Sequence, residues 1–284
     1  MKLVRYGQPG KEKPGLIDAE GKIRDLSDFI PDLVGEYLTH KFFDKLARTR
    51  LSRLPLVRGR PRLGSPIAKT GHFIGIGLNY VDHAKEAGLP VPKEPILFNK
   101  APNCLSGPND PVVIPKDGTK LDWEVELAIV IGDRASHVSE RAAINHIAGY
   151  CLCNDVSERS FQIDHAGQWM KGKSAPTFGP LGPYLVTPDE IPNVQRLNLW
   201  LDVNGKRMQT GNTKTMIFGV KKLVSYISEF MVLEPGDIIT TGTPPGVGMG
   251  RKPARYLQPG DVVTLGSDLL GKQTQEIIAW KRGM

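Results

Sequence analysis

The chain has 284 residues, of which 40% are hydrophobic and 24% are charged, with 31 glycines and 23 prolines. This composition is typical of a globular protein with many turns and excludes a disordered or collagen-like chain. The formal net charge is a modest +7, and no stretch approaches the roughly 18 consecutive apolar residues of a membrane-spanning helix.

The N-terminal sequence and the cysteine content both favour a cytoplasmic location. The N-terminal stretch MKLVRYGQPGKEKPG has no apolar core of the kind found in signal peptides. The cysteines Cys104, Cys151 and Cys153 are odd in number, and the last two lie on one apparent strand. We therefore expect a cytoplasmic protein with buried, unpaired thiols.

The N-terminal part of the chain predicts a small unit. KLVRYG and KPGLIDAEGKIRDL are typical of short strands, with a turn at residues 19–21, and residues 26–49 have helical spacing interrupted by Pro31. LPLVRGRPRLGSPIA, rich in proline and arginine, is the expected junction. We predict a small α+β unit over residues 1–66 and a catalytic domain over 67–284.

Six arginines lie between Arg48 and Arg62, close to this junction. No aromatic residues are interleaved with them and no nucleic-acid-binding motif surrounds them, so a solvated linker is the preferred interpretation. We expect neither nucleic acid nor a membrane as a partner. The positive field would instead attract small anionic substrates.

The rest of the chain is dominated by short apolar runs separated by glycine and proline, which predicts a mainly β fold, a sandwich or roll with a few helices. No internal repeat is present. The runs are HFIGIGLNY, PILFNK, PVVIP, VELAIVIG, IAGYCLCNDV, LNLWLDVNG, DIITTG and DVVTLG.

Three acids stand at alternate positions in DWEVELAIVIGD: Asp122, Glu124 and Glu126. Alternate residues of a strand share a face, so these side chains converge. A solvated strand face is the alternative. The apolar LAIVI that follows instead favours a buried strand whose first residues carry the acids. Asp155 ends another apolar strand, GYCLCNDV.

Glu124, Glu126 and Asp155 offer hard oxygen ligands with no cysteine or histidine ligand pattern nearby. Such a set suits Mg²⁺ or Mn²⁺ and leaves coordination positions for water or a chelating substrate. A catalytic metal site is the interpretation.

A candidate general base precedes the acids. GLNYVDHAKEAGLP predicts a short helix ending near Gly88, with His83 and Glu86 on one face, where the carboxylate can orient the imidazole. An exposed helix with incidental charge pairs is the alternative.

The segment GQWMKGKS, residues 167–174, matches the phosphate-binding loop pattern letter for letter. That loop needs a preceding apolar strand and a following helix. QIDHA before it is polar, and Pro176, Pro180 and Pro183 follow it. We therefore reject nucleotide binding and interpret Lys173 as a cation presented by a loop.

Taken together, several segments resemble the fumarylacetoacetate hydrolase family from about residue 72 to the C-terminus. Within the family, the chain looks most like bacterial members labelled 2,4-diketo-3-deoxy-L-fuconate hydrolase or ureidoglycolate lyase. The segments are NYVDHAKE, PILFNKAP, DWEVELAIVIG, NDVSERSFQ, GQWMKGKSAPTFGPLGP, MIFGVKKLVSYIS and LEPGDIITTGTPPGVG.

The resemblance implies a mixed β-sandwich roll that forms a homodimer. It implies that the three acids bind Mg²⁺ or Mn²⁺ and that His83 and Glu86 sit on a lid helix. It places Lys173 at the active site with Thr177 near the metal. The residues implied to bind substrate are Arg159, Gln162 and Thr243. The chain departs from the family pattern at Ser160 and at KSAPTF.

The activity implied is metal-dependent hydrolysis of a carbon–carbon bond in a 2,4-dioxo acid, an acylpyruvate or a diketo-deoxy sugar acid, with release of pyruvate. A hydroxylated substrate tail would then face Gln162. The same residues could also serve a ureidoglycolate lyase, giving glyoxylate and urea, or an oxaloacetate decarboxylase. A metal- and sugar-acid-binding sensor is the non-enzymatic alternative.

Overall fold

The computed structural model describes residues 1–50, 53–86 and 88–283. Its strands are β1 (Lys2–Tyr6), β2 (Lys13–Ile17), β3 (Ile23–Asp25), β4 (Leu63–Gly64), β5 (Phe73–Gly77), β6 (Ile96–Lys100), β7 (Leu105–Ser106), β8 (Val112–Ile114), β9 (Leu121–Asp122), β10 (Val125–Ile131), β11 (Ile147–Asn154), β12 (Ser157–Glu158), β13 (Gly179–Val186), β14 (Asn198–Val203), β15 (Lys206–Asn212), β16 (Ile238–Thr240), β17 (Val262–Ser267) and β18 (Gly271–Ala279).

Helices are few and short. The α-helices are α1 (His40–Ala47), α2 (Val81–Glu86), α3 (Glu140–Ala143), α4 (Trp169–Lys173) and α5 (Val220–Phe230). A π-helical turn spans Ser160–Asp164, and 3-10 turns span Gly35–Leu38, Pro102–Cys104, Ile144–His146, Pro188–Glu190, Val194–Arg196 and Thr213–Thr215. No helix within the described residues has the length and apolar character needed to cross a membrane.

Two mixed sheets and one antiparallel pair of strands, β9 with β12, make up the β-structure of the described residues. The larger sheet has eleven strands, ordered β3-β2-β1-β13-β11-β10-β16-β5-β6 with β4 on β1 and β7 on β13, and the smaller has five, ordered β15-β14-β17-β18-β8. Most neighbours are antiparallel, but β5 runs parallel to β16, β7 parallel to β13 and β8 parallel to β18. The protein is therefore α+β and mainly β, as the sequence predicts.

Strand β10 lies in the middle of the larger sheet and is buried at every position. Its continuous aliphatic run, LAIVI, is typical of a strand covered on both faces. Strand β11 pairs with it antiparallel, with Val125 opposite Asn154. The end of β11 therefore meets the beginning of β10, and the Asp155 amide donates to the Glu124 carbonyl at 2.9 Å.

The N-terminal strands extend the larger sheet. Strand β1 pairs antiparallel with β13, with Lys2 opposite Val186. Leu3, Leu16 and Leu26 belong to one hydrophobic core that also contains residues of β10. The predicted strands and turn of this unit are present, while the boundary near residue 66 stays a prediction.

Residues 26–49 contain less helix than their spacing predicts. Within this range the helical segments are the 3-10 turn at Gly35–Leu38 and α1. Pro31 lacks an amide hydrogen and disfavours helical backbone at the residue before it. Thr39 instead starts α1, because its hydroxyl accepts a hydrogen bond from an amide in the first turn.

All three cysteines are buried and free, in agreement with the sequence prediction. Cys151 and Cys153 lie on β11, in the interior of the larger sheet. Burial raises the pKa of both thiols. They are therefore inert packing residues rather than nucleophiles.

Candidate active site

Three buried carboxylates meet where β10 begins and β11 ends. One oxygen from each of Glu124, Glu126 and Asp155 lies within 4.8 Å of the others. Residues 124 and 126 point to the same side because side chains alternate along extended backbone, and the β10–β11 register adds Asp155. The residues predicted to bind metal thus form one group, called the acidic cluster below.

Two cations pair with the acidic cluster. Lys173 Nζ donates to Glu124 Oε2 and to Asp155 Oδ2, each at 2.7 Å. Arg159 Nη2 donates to Glu124 Oε1 at 2.5 Å. The Arg159 Nε donates to Asp122 Oδ2 at 2.9 Å. Both cations are buried, so these ion pairs are poorly screened by solvent.

Lys100 is a third buried cation, on the other side of Asp155. Its Nζ donates to Asp155 Oδ1 at 2.6 Å and to the carbonyl of Lys173 at 2.5 Å. Burial acts to lower the pKa of Lys100, but neighbouring groups, chiefly Asp155 through its charge and its hydrogen bond, together outweigh burial and raise the pKa above its ordinary value. Lys100 therefore remains charged and fixes the position of Asp155.

Glu126 lacks a cationic partner. Its Oε2 accepts from one backbone amide at 2.8 Å, and in the described parts of the chain no side-chain nitrogen of Lys, Arg or His forms a salt bridge with it. Burial, reinforced by the charges of Asp155 and Glu124, raises the pKa of Glu126 well above its usual range.

Glu124 is in the opposite electrostatic situation. Burial acts to raise the pKa of Glu124, but the charges of Lys173 and Arg159 outweigh it and hold the pKa below its usual range. Glu124 and Glu126, which flank Val125 in the sequence, therefore differ in proton affinity. The unmet negative charge of the site is concentrated at Glu126.

Helix α2 carries the predicted histidine–glutamate pair. His83 Nδ1 lies 3.0 Å from Glu86 Oε2, and Glu86 Oε1 accepts from the Gly246 amide at 2.9 Å. His83 lines the same cavity as Glu124 and Glu126. Because Glu86 occupies Nδ1, Nε2 is the nitrogen that can exchange a proton with a bound molecule. Whether α2 moves as a lid stays a prediction, and Ala87 lies outside the described residues.

Arg159, Gln162 and Thr243, predicted to bind substrate, all line this cavity. Gln162 Oε1 accepts from Arg159 Nη1 at 2.9 Å. The Thr243 hydroxyl donates to the Val125 carbonyl at 2.9 Å and accepts from Gln209 Nε2 at 2.8 Å. Since a hydroxyl has one proton, that of Thr243 is not free for a substrate carboxylate.

One placement differs from the sequence prediction. Lys173, predicted on a loop, is the last residue of α4 and is 2% exposed. One helical turn fits before Pro176, which is why the segment could be mistaken for a loop. The Thr177 hydroxyl accepts from the Val113 amide at 3.0 Å, and its place near the metal stays a prediction.

Two organising residues were not assigned from the sequence. Asp122, fully buried, accepts from Arg159 and from the amides of Gly248 at 2.6 Å and Met249 at 3.0 Å. It therefore ties the guanidinium to the loop that follows β16. Lys100 is the other. The sequence signal for it is a lysine at the end of the strand ILFNK, because a buried lysine there needs a carboxylate partner.

A cavity of about 200 Å³ opens onto the acidic cluster. Its polar lining residues are His83, Glu124, Glu126, Arg159, Gln162, Lys173 and Thr243. The rest of the lining is mostly hydrocarbon, and six of these side chains are called the apolar wall below: Ile76, Leu89, Phe98, Ile163, Trp169 and Met249. A buried acidic cluster with an oriented histidine beside a small cavity is typical of an enzyme active site.

The chain belongs to the fumarylacetoacetate hydrolase family. The sequence model described as Fumarylacetoacetate (FAA) hydrolase C-terminal matches residues 72–278. That range includes every residue of the site described above.

Known proteins of this kind resemble the chain over nearly its full length. A Burkholderia cenocepacia protein provisionally named a hydrolase is 56% identical over 276 residues, covering 97% of this chain and 98% of the relative. The fumarylacetoacetate hydrolase of Exiguobacterium antarcticum has a TM-score of 0.88 at 35% identity, covering 99% of this chain and 100% of that one.

A second solved structure is the maleylpyruvate hydrolase from Sphingobium sp. SYK-6, in complex with manganese(II) ion and pyruvate. It has a TM-score of 0.81 at 25% identity and covers 99% of this chain and 100% of its own. The fold is therefore that of the family throughout.

Proposed function

We propose that this protein is a divalent-metal-dependent hydrolase that cleaves a carbon–carbon bond in 2,4-dioxo acids and releases pyruvate. The observation that carries the proposal is an acidic cluster with one uncompensated carboxylate, Glu126, in the same cavity as His83. Membership of the family and the hydrolase names of its relatives support this reaction class.

The acidic cluster fits a divalent cation. The site contains four buried carboxylates (Asp122, Glu124, Glu126, Asp155) and three buried cations (Lys100, Arg159, Lys173), so four minus three leaves one formal negative charge. The raised pKa of Glu126 marks where positive charge is missing. Oxygen ligands alone suit Mg²⁺ or Mn²⁺, held by Glu124, Glu126 and Asp155. When bound, such an ion supplies Lewis-acid chemistry to a substrate carboxylate and 2-oxo group.

His83 acts as the general base in the proposed reaction. Its Nε2 takes a proton from water while Glu86 stabilises the imidazolium through Nδ1. The water oxygen forms a bond to C4 of the substrate, and the C3–C4 bond breaks. C3 leaves with the electron pair and takes the proton that His83 accepted from water, which gives pyruvate and restores the neutral imidazole, and the acyl group departs as a carboxylic acid.

Lys173 stabilises the negative charge that develops on the 4-oxo oxygen. An ammonium group has three N–H donors, and two of them bind Glu124 and Asp155. One donor therefore remains for the substrate oxygen, in a buried position where such a hydrogen bond is strong. Gln162, held by Arg159, can add a second donor through its amide nitrogen.

The proposal is tested with acetylpyruvate, Mg²⁺ and lactate dehydrogenase, which reports pyruvate as NADH loss. We expect activity that EDTA abolishes. Glu126→Gln should lose Mg²⁺ affinity by isothermal titration, whereas His83→Ala should keep it and lose about 10²- to 10⁴-fold in kcat. Glu276→Gln, an exposed glutamate on β18, is the matched control and should behave as wild type.

Two results would contradict the proposal. Undiminished Mg²⁺ affinity in Glu126→Gln would remove the metal assignment. Absence of pyruvate from every 2,4-dioxo acid, together with glyoxylate and urea from ureidoglycolate, would establish the lyase instead. Pyruvate formed from oxaloacetate alone would establish a decarboxylase.

A further inference from the structure

We infer that the active site selects 2,4-dioxo acids whose acyl tail ends in hydrocarbon and discriminates against tails that end in a carboxylate or a hydroxyl. This inference rests on the proposed function and adds the substrate class. It replaces the expectation of a hydroxylated tail facing Gln162, since Oε1 of that side chain is bound to Arg159 and its amide nitrogen faces the 4-oxo group in the proposed reaction.

The apolar wall begins directly beside the reacting groups. Lys173 Nζ lies 5.1 Å from the centroid of the Phe98 ring, while also binding Glu124 and Asp155. A substrate whose 4-oxo oxygen faces Lys173 therefore has the first carbons of its acyl tail against Phe98. Binding of the 4-oxo group at Lys173 therefore also determines where the acyl tail lies.

Trp169 continues the wall beyond Phe98. The two ring centroids are 5.6 Å apart in an edge-to-face arrangement. Gly77 lets the indole pack closely against β5, because a Cβ at that position would be 2.4 Å from the ring. The cavity is therefore bounded by aromatic carbon along the direction in which a tail would extend.

The mouth of the cavity is lined by hydrocarbon that water still reaches. Leu89, Ile163 and Met249 line the cavity and are 49%, 51% and 38% exposed, respectively. Met249 is held in place through its amide by Asp122. Exposed aliphatic side chains gathered around one opening are stabilised when an apolar ligand covers them.

The wall offers no partner for a second anionic group. Among the described residues that line the cavity, the only lysine and arginine are Lys173 and Arg159, and both are paired with Glu124 at the polar end. A carboxylate at the far end of a tail would lose part of its hydration without gaining a cation. A terminal hydroxyl would lose part of its hydration without gaining a hydrogen bond from the wall.

The test compares five substrates by pyruvate release: acetylpyruvate, propionylpyruvate, butyrylpyruvate, the analogue of butyrylpyruvate with a terminal hydroxyl, and succinylpyruvate, whose tail matches butyryl in length but ends in a carboxylate. We expect kcat/KM to rise about fourfold for each methylene added in the acyl series. Succinylpyruvate should be at least about tenfold poorer than butyrylpyruvate, with the hydroxyl analogue in between.

Two variants locate the effect. Ile163→Arg adds a cation at the mouth, so the ratio of kcat/KM for butyrylpyruvate to that for succinylpyruvate should fall about tenfold. Met170→Arg is the matched control: it is 48% exposed, lies near Ile163 in the chain and is not among the cavity-lining residues. It should leave the ratio unchanged.

The outcomes separate the two proposals. Hydrolysis of acetylpyruvate with equal kcat/KM for butyryl and succinyl tails would overturn the inference and leave the proposed function standing. An equal change of the ratio in Met170→Arg and Ile163→Arg would overturn the role of the wall, because a general surface-charge effect would then explain both. No pyruvate from any of the five would overturn both.

Discussion

Lys100 is fully buried, and its positive charge is stabilised by the groups that it binds. It binds Asp155 and the carbonyl of Lys173, and its side chain is 0% exposed. We expect Lys100→Met, which keeps the length of the side chain, to lower the free energy of unfolding by about 3–5 kcal/mol, since one partner of a buried ion pair is removed. Urea denaturation in EDTA measures it.

The control for this prediction is Lys272→Met, an exposed lysine on β18. It should change the free energy of unfolding by less than about 0.5 kcal/mol. If Lys100→Met were equally mild, the ion pair with Asp155 would contribute little and Lys173 alone would compensate that carboxylate. Added Mg²⁺ should recover part of the loss, because a ligand of the folded state stabilises it.

At the scale of elements, the loop after β16 positions α2. Gly250 packs against Glu86, and a Cβ there would be 2.8 Å from Glu86 Cδ and 3.1 Å from its Oε1. Gly250→Ala should therefore displace Glu86, misorient His83 and lower kcat roughly 10- to 100-fold. Steady-state kinetics with Mg²⁺ measure the loss.

A double-mutant cycle separates this contact from general damage to the loop. If Gly250→Ala acts through Glu86, it should cost little further activity once Glu86→Gln is present. Additive losses in the double variant would show that the loop affects activity by another route.

The strands were predictable from the sequence and their arrangement was not. Residues 127–131 form an aliphatic run, so β10 could be recognised by residue type, and the alternation of acids before that run placed Glu124 and Glu126 together. The contact between Asp155 and Glu124 depends on the register of β10 with β11, which no local pattern specifies. Helix α4 is one turn long, too short to leave a periodic signal, so Lys173 was predicted on a loop.

At the scale of the whole molecule, residues 1–66 share the sheet and core of the catalytic domain. Strand β1 covers the edge of β13, and Leu3, Leu16 and Leu26 pack into the common core. We expect a chain of residues 67–284 alone to be insoluble or to unfold without a cooperative transition, because deletion exposes both a strand edge and apolar surface. Circular dichroism and size-exclusion chromatography test it.

A soluble fragment with a cooperative thermal transition and wild-type kcat would contradict that expectation. It would establish the boundary near residue 66 as a true domain boundary.

The division of the cavity between sheet and connecting segments has an evolutionary consequence. The carboxylates stand on or beside β10 and β11, inside the sheet, whereas Leu89, Ile163 and Met249 lie outside regular strands and are exposed to solvent. Substitutions at exposed connecting positions usually cost little stability, whereas substitutions of buried charges cost a great deal. Descendants of this sequence can therefore acquire new substrates by single mutations at the cavity mouth while inheriting the same bond-breaking chemistry unchanged.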